Sequence, residues 1–388
     1  MTENKTKNVL FEMHDSKLRI PYLALLTGKI SVTLISDKPA ISIVRYPDGT
    51  LNITKIMKPS EKKADPATDA KENGSGVGFA ASRIAFATDI KNAFINLKDQ
   101  QGGFNYKIEN LNLKLDDVGV NREFDFNIST DLSINNKKDI KLDGTLSLVG
   151  EAELRFDSAG FQALQTNNTL DLTQIEVVYG SLLNKPKGVA LKVHTDVLAD
   201  KSTAEGSINI KEIEVLAGNL KIVTTGTVQD FSKLNLNLNV KSSDFNLKEW
   251  KEILGPIRDF DMEGNVSLGL AVQGTSAKPQ IDGKFELKGA SLRHPTLAQR
   301  VSDLNITAQF SGERITFQNT GLRIGESDMK LSGFVENLSS PLIKLDVKSK
   351  LLDLDKILPA EKKEKKAVIT IIDSAYAQKN PDEDLRKT

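Results

Sequence analysis

The sequence predicts a mainly β protein: an elongated, curled antiparallel sheet, a repeating β array with only a few short helices. Three observations carry this. Leu234-Asn-Leu-Asn-Leu-Asn-Val240 alternates apolar and polar residues strictly, the pattern of a strand with one greasy and one wet face. A set of residues around that strand then recurs without a gap. Gly218, Gly226, Val228, Ser232, Leu238, Val240, Lys241, Ser242 and Leu247 reappear 107 positions later. The second set is Gly325, Gly333, Val335, Ser339, Leu345, Val347, Lys348, Ser349 and Leu354. Finally, Gly and Asp-Gly steps punctuate alternating segments along most of the chain, the spacing of turns between strands.

The repeated unit reads as strand, glycine turn, strand and short helix. In its first copy Asn246 is a candidate N-cap with Glu249 three residues on, and Leu247, Trp250, Ile253 and Leu254 form an apolar stripe. In the second copy Pro341 stands at the strand entrance, where a missing N–H does least harm.

Composition excludes several function classes. Lys plus Arg equals Asp plus Glu at 52 each, so the basic excess of a nucleic-acid binder is missing. Aromatics at 6% are too few for base-stacking platforms. No cysteine is present, which removes thiol catalysis, disulfides and Cys-ligated zinc. The three histidines, His14, His194 and His294, are far apart and read as surface or strand residues rather than ligands. No run approaches the ~18 apolar residues that cross a bilayer.

In chain order, residues 1–57 begin polar and become patterned from Lys17. A helical turn in Lys17–Ile30 feeds alternating strands at Ser31–Ile35, Lys38–Tyr46 and Thr50–Ile56, with a reversal at Asp48-Gly49. Residues 58–82 are rich in Lys, Glu, Asp, Ala, Pro and Gly and read as a flexible linker. Residues 83–205 hold successive strands, with Asp143-Gly144 as a turn signal and a less regular stretch at 150–172 that suits a helical turn. Ile175-Glu-Val-Val-Tyr-Gly180 is echoed by Ile213-Glu-Val-Leu-Ala-Gly218, a smaller repeat. Residues 206–358 carry the long repeat, and 359–388 read as a charged, disordered tail. Gly269 to Thr275 has Walker-like spacing but no lysine after its second glycine, and is read as a connection between strands.

Several of these stretches, in this order, resemble the AsmA family. They are the Leu25-Leu-Thr-Gly-Lys29 step, the Pro-led strand before Arg45, and Asp48-Gly-Thr-Leu-Asn52. They continue with Asn92-Ala-Phe-Ile-Asn-Leu97 and Phe104-Asn-Tyr-Lys-Ile108. The closest cover Gly264 to Leu358, including Gly274-Thr-Ser-Ala-Lys-Pro-Gln-Ile-Asp-Gly283 and Leu352-Asp-Leu-Asp-Lys-Ile-Leu358. The likeness spans roughly residues 17–358. In that family the first segment follows an inner-membrane anchor helix, and this sequence departs from the pattern in having none.

Function turns on what hides the aliphatic faces, since exposed apolar area costs ~25 cal/mol per Å². Periodicity alone favours a closed sandwich, which needs no ligand. The resemblance implies an open gutter whose floor holds phospholipid acyl chains. Its candidate floor residues are Leu236, Leu238, Val240, Val266, Leu268, Leu270, Leu345 and Val347. The implied role is phospholipid transport between membranes and outer-membrane biogenesis. It implies a periplasmic location associated with the inner membrane, partners among phospholipids, the inner or outer membrane and other envelope proteins, and no nucleic acid.

The alternative is a lipid-free β scaffold that assists outer-membrane protein assembly or secretion. A polysaccharide-binding solenoid would need aromatic ladders, which a single Trp and five Tyr do not supply. Carboxylates such as Asp116, Asp117, Asp143 and Asp282 fall at outward or turn positions and form no paired-acid motif. Neither an enzyme nor a cofactor is expected.

Overall fold

A computed structural model describes residues 10–22, 30–52, 84–135, 140–251, 253–255, 260–293, 299–337 and 340–353. The linker and the charged tail lie outside the described residues.

The described chain is one open sheet whose strands follow chain order. Its first part comprises β1 (Phe11–Arg19), β2 (Ile30–Arg45), β3 (Ile84–Asp99), β4 (Phe104–Val118), β5 (Glu123–Asn135), β6 (Ile140–Asp157) and β7 (Gly160–Tyr179). The middle holds β8 (Leu183–Lys185), β9 (Leu191–Asp200), β10 (Ser207–Ala217), β11 (Leu220–Gln229), β12 (Asn235–Ser242) and β13 (Phe245–Asn246). The last part is β14 (Asp261–Thr275), β15 (Lys278–Arg293), β16 (Val301–Gly312), β17 (Arg314–Ile324), β18 (Ser327–Glu336) and β19 (Leu342–Lys348). The sheet is elongated, as the alternation and the turn spacing predict. β9 and β10, on either side of residues 205 and 206, pair from Ser207 opposite Asp200 to Ala217 opposite Leu191, with one register shift between Ile210 and Glu212.

One junction is parallel. β2 and β3 run side by side in the same direction, from Ile30 opposite Ile84 to Arg45 opposite Asp99. The Asp48-Gly-Thr-Leu-Asn52 motif has a local purpose there. β1 covers β2 only as far as Ile41, which leaves the backbone beyond it without a partner strand on that side. Asn52, 1% exposed, fills that gap: its Oδ1 accepts from Val44 N at 2.9 Å and its Nδ2 donates to Ser42 O at 3.0 Å.

The repeat is real in three dimensions. Gly218 and Gly325 occupy equivalent hairpin turns with φ of 57° and 58°. Gly226 and Gly333, inside β11 and β18, have φ of 134° and 144°, a region open to glycine. Asp230 and Asn337, also 107 apart but not identical, both take positive φ, 60° and 56°. The side chain of each caps the turn that follows, accepting from Ser232 N at 3.0 Å and from Ser340 N at 3.3 Å.

The structure differs from the sequence pattern where short signals suggest turns or helices. Residues 150–172 form no helical turn: apart from the tight turn at Ser158-Ala159 they belong to the long strands β6 and β7, and the Thr-Asn-Asn-Thr run of β7 hides the alternation. Asp143-Gly144 lies inside β6, and Gly269 to Thr275 inside β14, because a glycine opposite a bulky cross-strand side chain also suits a strand interior. Ser31–Ile35 and Lys38–Tyr46 are one strand, passing through Lys38 at φ 53°. The stripe after β13 forms a 3-10 turn, Leu247–Trp250, with Asn246 as its N-cap accepting from Lys248 N at 2.9 Å.

Candidate functional site

The eight candidate residues share one face of the sheet. Residues directly opposite in a ladder point to the same side. Val240 faces Leu270, which faces Gly283, then Phe310, Ile315, Val335 and Ile343 on the strands beyond. Leu268 begins a parallel row through Phe285, Ala308, Phe317 and Gly333 to Leu345. Leu238 faces Val272, Leu236 faces Gly274, Val266 faces Leu287, and Val347 faces Leu331.

The same face continues toward the other edge. From Val240 the row passes Thr224, Ile213, Thr195 and Asn168 to Gly150. It then runs through Phe126, Leu115, Thr88 and Leu34 to Leu18 on β1. At the waist, where Gly150, Asn168 and Thr195 interrupt it, an adjacent row stays apolar through Leu148, Leu170, Val193, Val215 and Ile222. One mainly apolar track, with Thr88 and Thr224 among its members, therefore crosses the sheet from β1 to β19.

The described residues do not cover this face as a sandwich core would. Contacts between strands run between neighbours along the sheet. Leu236, Leu238, Val240, Leu268 and Leu270 are half-buried, whereas Leu345 and Val347 are 43% and 60% exposed. Val266 differs, at 6% exposed, because it belongs to a buried cluster with Leu287 and Ala290 onto which Phe245 and Leu247 pack. Of the eight, Val266 is thus a packing residue and the other seven line the open surface. The closed sandwich that periodicity alone favours does not form.

The 3-10 turn and the residues after it edge this surface. Strands β9 to β12 are shorter than β7 and β14, and residues 247–251 and 253–255 lie at the notch that this leaves. Trp250 Nε1 donates to Asn219 Oδ1 at 3.1 Å, Ile253 O accepts from Asn184 N at 2.8 Å, and Gly255 N donates to Leu182 O at 3.0 Å. The predicted stripe is used: Ile253 is buried and Leu247 joins the Val266 cluster.

Lys185, 4% exposed, sits opposite Val177 at this lip and donates from Nζ to the carbonyls of Ile175 at 2.6 Å, Thr173 at 3.1 Å and Pro186 at 3.2 Å. Burial pushes its pKa down, and Asp171 opposes that shift. The ammonium satisfies backbone oxygens where β7 changes partner from β8 to β9, a structural use that the sequence did not signal.

The opposite face is polar and laddered with charge. Lys284 and Lys288 flank Glu286 at 2.7 and 3.1 Å, and their hydrogen bonds hold its carboxyl below the usual range. Asp143 meets Lys187 at 2.8 Å, and Asp116 and Asp117 meet Lys114 and Arg122 at 2.6 and 3.2 Å. Such exposed pairs add little stability and keep the face wet. His194 pairs with Thr169 Oγ1 at 3.1 Å. Among the described residues, no group of three or more His, Asp or Glu side chains is placed to share a metal ion. Among them, too, no helix is long and apolar enough to cross a membrane.

No family model, curated protein or solved structure matches this chain.

Proposed function

We propose that the chain is a lipid-carrying groove protein of the AsmA type, which binds phospholipid acyl chains along its apolar face and contributes to phospholipid movement between the membranes of a Gram-negative envelope. One observation carries this reading: the apolar track runs from β1 to β19 and is left half-exposed rather than packed under a second sheet. Each acyl methylene buried on it would gain about 0.8 kcal/mol. Headgroups would remain at the lip in water. Movement along the track needs no bond chemistry, only a continuous apolar path. A periplasmic location at the inner membrane follows from this role, not from any segment described here.

The test is native mass spectrometry with lipid extraction on the full chain purified from a Gram-negative host. Several phospholipids per chain are expected, and Leu238→Asp together with Leu268→Asp should remove most of them while circular dichroism retains its β signature. A lipid-free wild-type protein that unfolds cooperatively would reject the groove and favour the lipid-free scaffold.

A further inference from the structure

The two edges of the sheet are built differently. β1 is irregular: its register with β2 shifts on both sides of His14, and Asp15 takes φ of 43°. Bulges of this kind blunt an edge against pairing with other chains. β19 has no such protection. It pairs with β18 without a shift, from Lys348 opposite Lys330 to Leu342 opposite Glu336. Ile343 is 58% exposed, and every residue of the strand is exposed.

Beyond β19 the chain continues along the same side of β18, where Leu351 O accepts from Asp328 N at 3.2 Å. Lys350 N and Leu351 N donate to Asp328 Oδ1 at 3.0 and 3.2 Å, and Asp353 N donates to Ser327 Oγ at 2.9 Å. Residues 349–353 therefore lie against the start of β18. Among the described residues, no strand pairs with the outer side of β19, and Lys344 and Asp346 make no ion pair.

We propose that β19 is a dimerisation edge that pairs antiparallel with β19 of a second copy, in a register centred on Leu345. Charge and face select that register. A one-residue slip would place Leu345 opposite a charged residue and set the two faces against each other. Centring on Lys344 or Asp346 opposes like charges. Centring on Ile343 sets Leu345 against Pro341, and centring on Val347 sets it against Ser349. With Leu345 at the centre, Ile343 meets Val347 twice on the apolar face and Lys344 meets Asp346 twice on the polar face. The two-fold axis is then perpendicular to the sheet, so both apolar faces lie on one side and the track continues from one copy into the other. The interface is isologous and closed, with no open-ended growth. The pairing needs no lipid and is independent of the function proposed above.

Sedimentation velocity on the full chain in detergent-free buffer tests this. The wild type should sediment as a dimer. Lys344→Asp and Asp346→Lys should each weaken the dimer at least ten-fold, because each opposes like charges twice. An equimolar mixture of the two single variants should form heterodimers, since one chain then presents two carboxylates to the other's two ammonium groups. The double variant should recover the homodimer. Circular dichroism checks the fold of each variant, and hydrogen exchange should show β19 amides protected in the wild type and exposed in Lys344→Asp. A monomeric wild type, a dimer unchanged in both single variants, or a monomer whose β19 pairs only with another protein's strand would each overturn the proposal.

Discussion

Gly226 lies directly across the sheet from Leu238, at a φ of 134° that leaves no room for a side chain. A Cβ there would come within 2.1 Å of Asn237 O. Gly333 stands in the same relation to Leu345 in the second copy of the repeat, with Lys344 O at 2.1 Å. Gly226→Val is expected to lower stability by at least the roughly 1–3 kcal/mol of a strained backbone. Gly269→Ala, in nearby β14 with nothing within 4 Å, should be close to neutral. Urea unfolding of the two variants checks the contrast.

Val266 and Leu238 share a face but not an environment. Val266→Asp would bury an unpaired carboxylate in the Val266–Leu287–Ala290 cluster and should cost more than about 3 kcal/mol. Leu238→Asp, on the half-buried surface, should cost about 1–2 kcal/mol. Thermal melts followed by circular dichroism would separate them, and equal large losses would mean that the face around Leu238 is covered.

Asn52→Ala removes both hydrogen bonds that finish the uncovered end of β2, to Val44 N and Ser42 O. Each buried backbone group left unpaired costs about 1–3 kcal/mol. The expected result is a lower urea midpoint and faster hydrogen exchange at Val44, with no change in any lipid retained on the C-terminal half.

Asp328 links stability to pH. The backbone N–H groups of Lys350 and then Leu351 hold its carboxyl below the ordinary value of 3.8. A depressed carboxyl contributes stability that is present above 3.8 and is lost as pH falls through the folded-state value. Residues 349–353 should therefore lose exchange protection below about pH 4. In Asp328→Ala that protection should already be weak at pH 7, and the acid transition of this segment should disappear.

At the waist, Leu170 carries the apolar row past Asn168 and Thr195. Leu170→Asp should divide the track, leaving lipid bound on each half while slowing transfer between donor and acceptor vesicles several-fold. Transfer at the wild-type rate would show that lipid does not pass this point.

Much of the architecture is legible in the sequence because alternation and glycine turns are local signals. Leu236, Leu238 and Val240 declare their shared face by spacing alone, and the 107-residue offset pairs Gly218 with Gly325 before any coordinates are known. Side-chain period two fixes which residues share a side of one strand. It does not fix what stands opposite. Only the tertiary structure decided that β2 and β3 run parallel, that the polar-looking run in β7 continues the sheet, that Val266 is packed while Leu238 is half-open, and that Asn52 and Lys185 complete interrupted ladders. Those outcomes depend on register and on the single open sheet that the described residues form, which are relations between segments far apart in the chain.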